Sequence, residues 1–70
     1  MAKDCLNLQN KIKAAREKKG WSQRQLAETV GVSRQTINAI ENGQFNPSTK
    51  LALLISIALE QKVDELFYFE

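Results

Sequence analysis

Between residues 22 and 43, apolar residues recur at intervals of three or four positions, and this spacing predicts two short α-helices. A serine precedes each of them, Ser22 before the first and Ser33 before the second. A serine hydroxyl in that place accepts a hydrogen bond from the main chain of the first helical turn. Because Gln25 lies three residues after Ser22, these two residues can complete a capping box. Both serines are therefore predicted to mark the start of a helix.

A glycine follows each helical segment, Gly31 after the first and Gly43 after the second. Glycine readily adopts the left-handed conformation in which chains commonly leave a helix, because it has no side chain to clash. The pattern therefore predicts a helix over residues 23–30, a short turn, and a second helix over residues 34–42.

The apolar residues of these two helices fall on one side of each helix. Leu26, Ala27 and Val30 share a face of the first, and Ile37 and Ile40 share a face of the second. Ala27 is small enough for the second helix to cross the first closely at a steep angle. The two helices are thus predicted to pack against each other through an apolar inner surface.

Further helices are predicted on both sides of this pair. One runs from about Gln9 to Lys19 and ends before Gly20. After the pair, Ser48 caps a helix from Thr49 to about Glu60. The predicted core-facing residues of that helix are Leu51, Leu54, Ile55, Ala58 and Leu59.

Both ends of the sequence alternate between apolar residues and other residues. Leu6 and Leu8 show this alternation near the N-terminus, and Phe67 and Phe69 show it near the C-terminus. A period of two is typical of β-strands, so one interpretation is a short antiparallel pairing of the two segments. The alternative is that Leu6 belongs to a frayed terminus and that Leu8 opens the first helix.

Two charged residues occupy positions that face the predicted interior. Arg16 follows Ile12 by four residues, and Glu41 follows Ile37 by four, so each lies beside a core residue on its helix. A buried charge is costly unless it is paired. We therefore predict an ion pair that fixes how these two helices are arranged. The alternative is that both side chains extend along their apolar stems into solvent and never meet.

The composition is that of one small globular domain. The chain has 70 residues, of which 43% are hydrophobic and 26% are charged. Its apolar stretch over residues 51–59 is too short to span a membrane. Cys5 is the one cysteine and there is no histidine, so we expect no internal disulfide, no metal site and no cofactor. Because no nucleophile has a histidine base and no glycine-rich phosphate loop is present, we expect no enzyme. The single cysteine and the lack of a signal-peptide pattern favour a reducing, cytoplasmic location.

The formal net charge is only +2, but the charges are unevenly distributed. Residues 1–40 contain eight Lys or Arg and three Asp or Glu, whereas residues 41–70 contain two and five. A basic region that includes the helix pair favours contact with a polyanion. An ordinary solvated surface can have the same composition.

The outward face of the helix over residues 34–42 is polar but nearly uncharged. Along it and at its edges lie Arg34, Gln35, Thr36, Asn38, Ala39 and Asn42. In the DNA major groove, amide side chains can bond N6 and N7 of adenine, arginine can bond O6 and N7 of guanine, and a methyl group can contact thymine. This face therefore suits the reading of base edges, and a solvated helix face is the alternative.

Taken together, these segments resemble the lambda-repressor-like, or Xre/Cro, family of bacterial and phage transcriptional regulators. The family pattern is matched at Leu26, Ala27, Val30, Gly31, Val32, Ile37 and Ile40. The segments KIKAAREKKGWSQ, ENGQFNPS and VDELF resemble the first helix and entry, the exit loop and the fifth helix of that family. The resemblance implies an all-α, compact five-helix domain over residues 1–70, with its helix-turn-helix at residues 23–42 and a short pairing of the terminal segments left open.

The resemblance also implies roles for particular residues. The residues implied to read bases are Arg34, Gln35, Thr36, Asn38 and Ala39. The residues implied to contact phosphates are Gln23, Ser33, Asn42, Gln44 and Asn46. The family has an internal ion pair at the positions of Arg16 and Glu41, in agreement with the pairing predicted from helical phase.

An apolar patch suggests that two copies of the chain associate. Leu53 and Ile57 lie one turn apart on the side of their helix away from the core, and together with Phe67, Tyr68 and Phe69 they are expected to form an exposed apolar patch. We expect the segment from about residue 53 to residue 70 to form a homodimer interface. The alternative is that the aromatic tail folds back and covers the pair within one chain.

These expectations combine into one functional hypothesis. A homodimer presents two recognition helices to successive major grooves, so we expect a repressor that binds a palindromic operator in double-stranded DNA. An antitoxin or a restriction controller would have the same fold, and a protein-binding adaptor without DNA specificity is a further alternative. Relief by an unknown inducer or partner protein is left open.

Overall fold

The structure is a computed structural model, and it describes residues 8–70. Five helices and two short strands follow one another along this part of the chain. In order they are β1 (Leu8–Asn10), α1 (Ile12–Lys18), α2 (Gln23–Val30), α3 (Arg34–Glu41), α4 (Thr49–Leu59), α5 (Val63–Leu66) and β2 (Phe67–Phe69). The predicted five-helix fold is confirmed. Leu6 and Cys5 lie outside the described residues.

The two strands pair in an antiparallel arrangement, with Leu8 opposite Phe69 and Asn10 opposite Phe67. The strand interpretation is therefore confirmed for residues 8–10, and Leu8 does not open the first helix. The prediction that this helix starts near Gln9 was wrong, because Gln9 is in the strand and the N–H of Lys11 donates to the Leu66 carbonyl at 2.8 Å. Main-chain bonds to the C-terminal segment thus delay the helix until Ile12.

The predicted caps set the boundaries of α2 and α3. The Gln25 N–H donates to Ser22 Oγ at 3.0 Å, and the Ser22 N–H donates to Gln25 Oε1 at 2.7 Å, which completes the capping box. Ser33 Oγ accepts from the Thr36 N–H at 3.1 Å. Gly31 has a φ of 83°, so the chain leaves α2 in the left-handed conformation. The α3 helix ends at Glu41, and Asn42 is its cap.

The core lies where α1, α2, α3 and α4 meet, and α5 closes it. Its buried apolar residues are Ile12, Leu26, Ala27, Ile37, Ile40, Leu51, Ile55, Leu59 and Leu66. Val30, Val32 and Ala58 are half-buried against this cluster. The inner surfaces predicted for α2 and α3 are therefore confirmed.

One predicted core position of α4 was wrong. Leu54 is 37% exposed, whereas Ser56 is 6% exposed. The inward line of α4 runs through Leu51, Ile55 and Leu59 at intervals of four, so Leu54 lies at its flank. Burial of Ser56 costs little because its hydroxyl donates to the Leu53 carbonyl at 2.7 Å. None of the helices within residues 8–70 has the length and apolar character needed to cross a membrane.

Candidate nucleic-acid interface

The candidate interface begins at the outward face of α3, opposite the buried Ile37 and Ile40. Three of its polar residues, Arg34, Gln35 and Asn38, are exposed on this helix. The remaining two predicted base readers, Thr36 and Ala39, are half-buried on this helix. On α3, three exposed polar side chains therefore lie among two smaller, half-buried ones.

Behind this face lies the predicted ion pair. Arg16 Nε donates to Glu41 Oε2 at 2.7 Å, and Arg16 Nη2 donates to Glu41 Oε1 at 3.1 Å. The two side chains are only 8% and 2% exposed. Arg16 Nη1 also donates to the Trp21 carbonyl at 2.7 Å, which joins the loop before α2 to the same group. The predicted ion pair is confirmed and is bidentate, and its two side chains do not extend into solvent.

The environment of Arg16 favours its charged form. The hydrogen bonds to Glu41 raise the pKa of Arg16 above its ordinary value, although burial acts in the opposite direction. Charge attraction by Glu41 adds to the increase. The guanidinium is therefore a permanent cation, and it holds Glu41 in one orientation.

Gln23 connects the start of α2 to α3. Its Nε2 donates to Asn38 Oδ1 at 3.1 Å and to Glu41 Oε1 at 3.0 Å. Gln23 had been assigned to a phosphate only by resemblance, and its bonds across to α3 were not predicted. These bonds depend on how closely the two helices cross, which the spacing of residues along the sequence does not reveal.

The loop after α3 continues the same surface. Asn42, Gln44 and Asn46, which were predicted to contact phosphates, are all exposed there. The Gln44 N–H donates to the Ala39 carbonyl at 2.9 Å, so the start of the loop is fixed to the end of the helix. Ser33, at the other end of α3, is exposed and its Oγ lies 2.9 Å from Thr36 Oγ1.

A polar cleft opens between the first turns of α2 and α3. Its volume is about 630 Å³, and it is lined by Arg16, Ser22, Gln23, Arg24 and Arg34. Three arginines thus line a space beside the outward face of α3. The charge of Arg16 is balanced by Glu41, and Arg24 has an exposed pair with Glu28, so Arg34 adds the main positive charge that favours an anion there. Sequence reasoning had left Arg24 out, although a basic residue in the first turn of α2 was a visible signal. Within residues 8–70, no group of three or more His, Cys, Asp or Glu side chains is placed to hold a metal ion.

Asn10 is a second residue that sequence reasoning missed. Its Nδ2 donates to the Ile40 carbonyl at 2.9 Å, and its Oδ1 accepts from the Ile12 N–H at 3.2 Å. One side chain therefore connects β1, the start of α1 and the last turn of α3. The sequence contained only a weak signal, an asparagine shortly before a helix.

The predicted dimer residues lie on a different side of the domain. Leu53 is 49% exposed, Ile57 is 72% exposed and Phe69 is 63% exposed, whereas Phe67 is half-buried against the core. The aromatic tail pairs with β1 and does not cover Leu53 and Ile57, so the covering alternative was wrong for the described residues. Leu53 and Phe67 border an apolar groove of about 250 Å³ that also includes Leu8.

A family model for helix-turn-helix proteins matches residues 12–66 of this chain. The chain belongs to the helix-turn-helix family. The match covers α1 to α5, so it includes the outward face of α3, the ion pair and the exit loop together. The resemblance to lambda-repressor-like DNA-binding regulators is thereby confirmed.

Individual relatives agree with this assignment. The chain is 48% identical over 63 residues to the HTH-type transcriptional regulator YgzD of Bacillus subtilis, covering 90% of this chain and 96% of the relative. It is 43% identical over 63 residues to an HTH-type transcriptional regulator of Methanocaldococcus jannaschii, with the same coverage of 90% and 96%. Among solved structures, the restriction-modification controller protein C.AhdI of Aeromonas hydrophila is similar with a TM-score of 0.73, 33% identity, and coverage of 77% of this chain and 82% of that one.

Proposed function

We propose that this helix-turn-helix protein is a sequence-specific repressor of transcription that binds a palindromic operator as a homodimer, with α3 in the major groove. The observation that carries this proposal is the outward face of α3, where exposed Arg34, Gln35 and Asn38 stand beside an arginine-lined cleft. An α-helix fits the width of the major groove, and these side chains carry the donors and acceptors that match base edges.

Base reading is assigned to the exposed side chains of α3 and to the small residues between them. Arg34 can make a bidentate contact with guanine, and Gln35 can make one with adenine. Thr36 and Ala39 provide methyl groups that fit against the methyl group of thymine. A good bidentate pair contributes about 1–3 kcal/mol of discrimination against the wrong base.

Phosphate contacts are assigned to the residues around this face. Ser33 lies at its leading end, and Asn42, Gln44 and Asn46 are exposed in the loop at its other end. At Gln23 both amide hydrogens are used within the protein, so its contribution is the main-chain N–H at the positive end of α2. Contacts of this kind fix the protein in register on the duplex and carry no sequence information of their own.

The homodimer is assigned to the exposed Leu53, Ile57 and Phe69, together with the half-buried Phe67. Association of two copies there would remove apolar area from water. A two-fold dimer that binds palindromic half-sites presents its recognition helices roughly 34 Å apart, one turn of B-DNA. We place the protein in the cytoplasm. There, a dimer bound at a promoter would repress transcription.

A restriction controller is the second candidate, because C.AhdI is a controller protein and its solved structure is similar over most of this chain. The two candidates share the same DNA contacts and differ in the genes that they regulate. The genes that lie beside the operator therefore discriminate between them.

Selection of bound sites from random double-stranded DNA tests the proposal. We expect enrichment of one motif with two-fold symmetry, and the affinity for that motif should fall linearly on a log–log plot against salt concentration. Scrambled DNA of the same length is the control. Enrichment of no motif would contradict the proposed function and would favour a protein-binding adaptor.

A further inference from the structure

A chain of hydrogen bonds runs from the buried ion pair to the recognition face. It begins at Glu41, passes through Gln23 and ends at Asn38, whose side chain is exposed on α3. Each hydrogen bond in this chain has a fixed donor and a fixed acceptor, because the Glu41 carboxylate at its inner end can only accept. That order determines which group of Asn38 faces outward.

The inner end is fixed by chemistry. The Glu41 carboxylate is paired with Arg16, and an ionised carboxylate only accepts hydrogen bonds. The Gln23 atom that lies 3.0 Å from Glu41 Oε1 must therefore be the nitrogen of its amide. The alternative orientation would bring the amide oxygen against a carboxylate oxygen, with a repulsive contact in a partly buried place. The ion pair thus determines the orientation of the Gln23 amide.

The same argument applies one step further out. Gln23 Nε2 is a donor, so the Asn38 atom that lies 3.1 Å from it must be the oxygen, Oδ1. The oxygen and the nitrogen of a carboxamide point in different directions from the same carbon. Since Oδ1 is directed toward Gln23, the Asn38 NH₂ group is the part of this amide available to a ligand. Asn38 is therefore preset as a hydrogen-bond donor.

We propose that Gln23 is a positioning residue that fixes Asn38 as a donor, so that Asn38 selects guanine over adenine at the base pair it contacts. This inference rests on the proposed function, since it assumes that α3 enters the major groove. Guanine presents two acceptors there, N7 and O6, whereas adenine presents one acceptor and the N6 donor. An amide that is free to turn pairs with adenine by using its oxygen and its nitrogen together. The bond from Gln23 opposes that arrangement because it holds the oxygen toward α2 and away from the position that would pair with adenine N6.

The test compares base preferences selected from random DNA by the wild type and by variants. Asn38→Ala identifies the position that Asn38 reads, because only there should the preference disappear. In the wild type we expect guanine to be favoured over adenine at that position by about tenfold. Gln23→Met keeps the length of the side chain and removes both hydrogen bonds, so the guanine preference should fall several-fold or change to adenine. Gln61→Met, at an exposed glutamine between α4 and α5, is the matched control and should change no preference.

The outcomes separate this inference from the proposed function. A wild type that enriches no motif contradicts the proposed function itself. A wild type that prefers adenine at the Asn38 position, or a Gln23→Met protein with an unchanged profile, overturns the positioning role and leaves DNA binding intact. A Gln23→Met protein that melts at a lower temperature but keeps the wild-type base preferences also overturns the positioning role. In the Asn38→Ala background, Gln23→Met should add no further change in preference, because Gln23 is proposed to act through Asn38.

Discussion

At the scale of single residues, the buried ion pair is the interaction whose loss should cost most. Glu41→Ala leaves the Arg16 guanidinium buried without a carboxylate, so we expect the free energy of unfolding to fall by about 3–5 kcal/mol. Urea denaturation, monitored by circular dichroism, measures this loss of unfolding free energy. Glu28→Ala is the control, because it breaks an exposed pair with Arg24 and should cost about 0.3–0.5 kcal/mol. Equal stabilities of the two variants would contradict the importance of the buried pair.

The pH dependence of this pair has a definite sign on the arginine side. Because the pKa of Arg16 is raised in the folded protein, its contribution to stability is fully present below the ordinary arginine pKa. The contribution is lost only as the pH rises through the higher, folded-state pKa. Arg16 therefore adds no pH dependence to folding near neutrality.

The proposed base reading by α3 leads to a separate prediction at the residue scale. Gln35 is exposed on the outward face, so Gln35→Ala should leave the fold unchanged and reduce discrimination at one base pair by about 1–3 kcal/mol. Binding to operator variants that differ at single positions measures this change. Gln61→Ala removes an exposed glutamine elsewhere and should not alter selectivity. Unchanged selectivity in Gln35→Ala would refute its role as a base reader.

Some of these residue-level features were visible in the sequence and others were not. Helical phase placed Arg16 and Glu41 on inward faces, and two opposite charges in an apolar interior have few other solutions. Gln23 and Asn38 gave no comparable signal, because both are polar residues near solvent. Their bond depends on the distance between α2 and α3, which is a property of the packed structure.

At the scale of elements, helix caps were easier to predict than helix faces. Ser22, Ser33 and Ser48 all accept the predicted main-chain bonds, because capping is local chemistry between residues three apart. The predicted start of α1 was wrong because the true start is set by main-chain bonds from β1 and Lys11 to the distant C-terminal segment. The prediction that Leu54 faces the core was wrong because α4 is apolar on nearly every side, so its sequence does not single out one inner face.

The end of α4 contains an element-level strain that can be relieved. Glu60 is the one residue other than glycine with a positive φ within residues 8–70, at 57°. The left-handed conformation costs a residue with a side chain about 1–2 kcal/mol, and glycine avoids this cost. We expect Glu60→Gly to raise the free energy of unfolding by about 1 kcal/mol, measured by urea denaturation. The exposed bond from Lys19 that is lost contributes little.

The next residue provides the control for this prediction. Gln61 does not have a positive φ, so Gln61→Gly gains no relief and should be neutral or destabilising through added freedom of the unfolded chain. A loss of stability in Glu60→Gly as large as that in Gln61→Gly would contradict the argument from backbone conformation.

At the scale of the whole molecule, the proposed dimer gives the clearest prediction. Leu53→Lys combined with Ile57→Lys places two charges in the exposed apolar patch, so the sedimentation of the protein should change from dimer to monomer. Both side chains are already exposed within one chain, so the fold should be retained. Affinity for a palindromic operator should fall, because each monomer reads only one half-site.

The control for the dimer adds the same charge elsewhere. Thr29→Lys combined with Gln61→Lys changes two exposed residues outside the patch and should leave the sedimentation as it is in the wild type. If the Leu53 and Ile57 variant still sediments as a dimer, the interface lies on another surface. The sequence indicated this patch through its unusual apolar residues, but only the structure revealed that the aromatic tail leaves Leu53 and Ile57 exposed.

Asn10 occupies a position where assembly and recognition meet. It is the last residue of the strand that pairs with the aromatic tail, and its amide holds the carbonyl of Ile40 at 2.9 Å. The C-terminal turn of α3 is thus held against the paired strands β1 and β2, which lie beside the proposed dimer interface. If two copies associate through these paired strands, the distance between their α3 helices is fixed. Operators with one base pair inserted at the centre should then bind poorly, even when both half-sites are perfect.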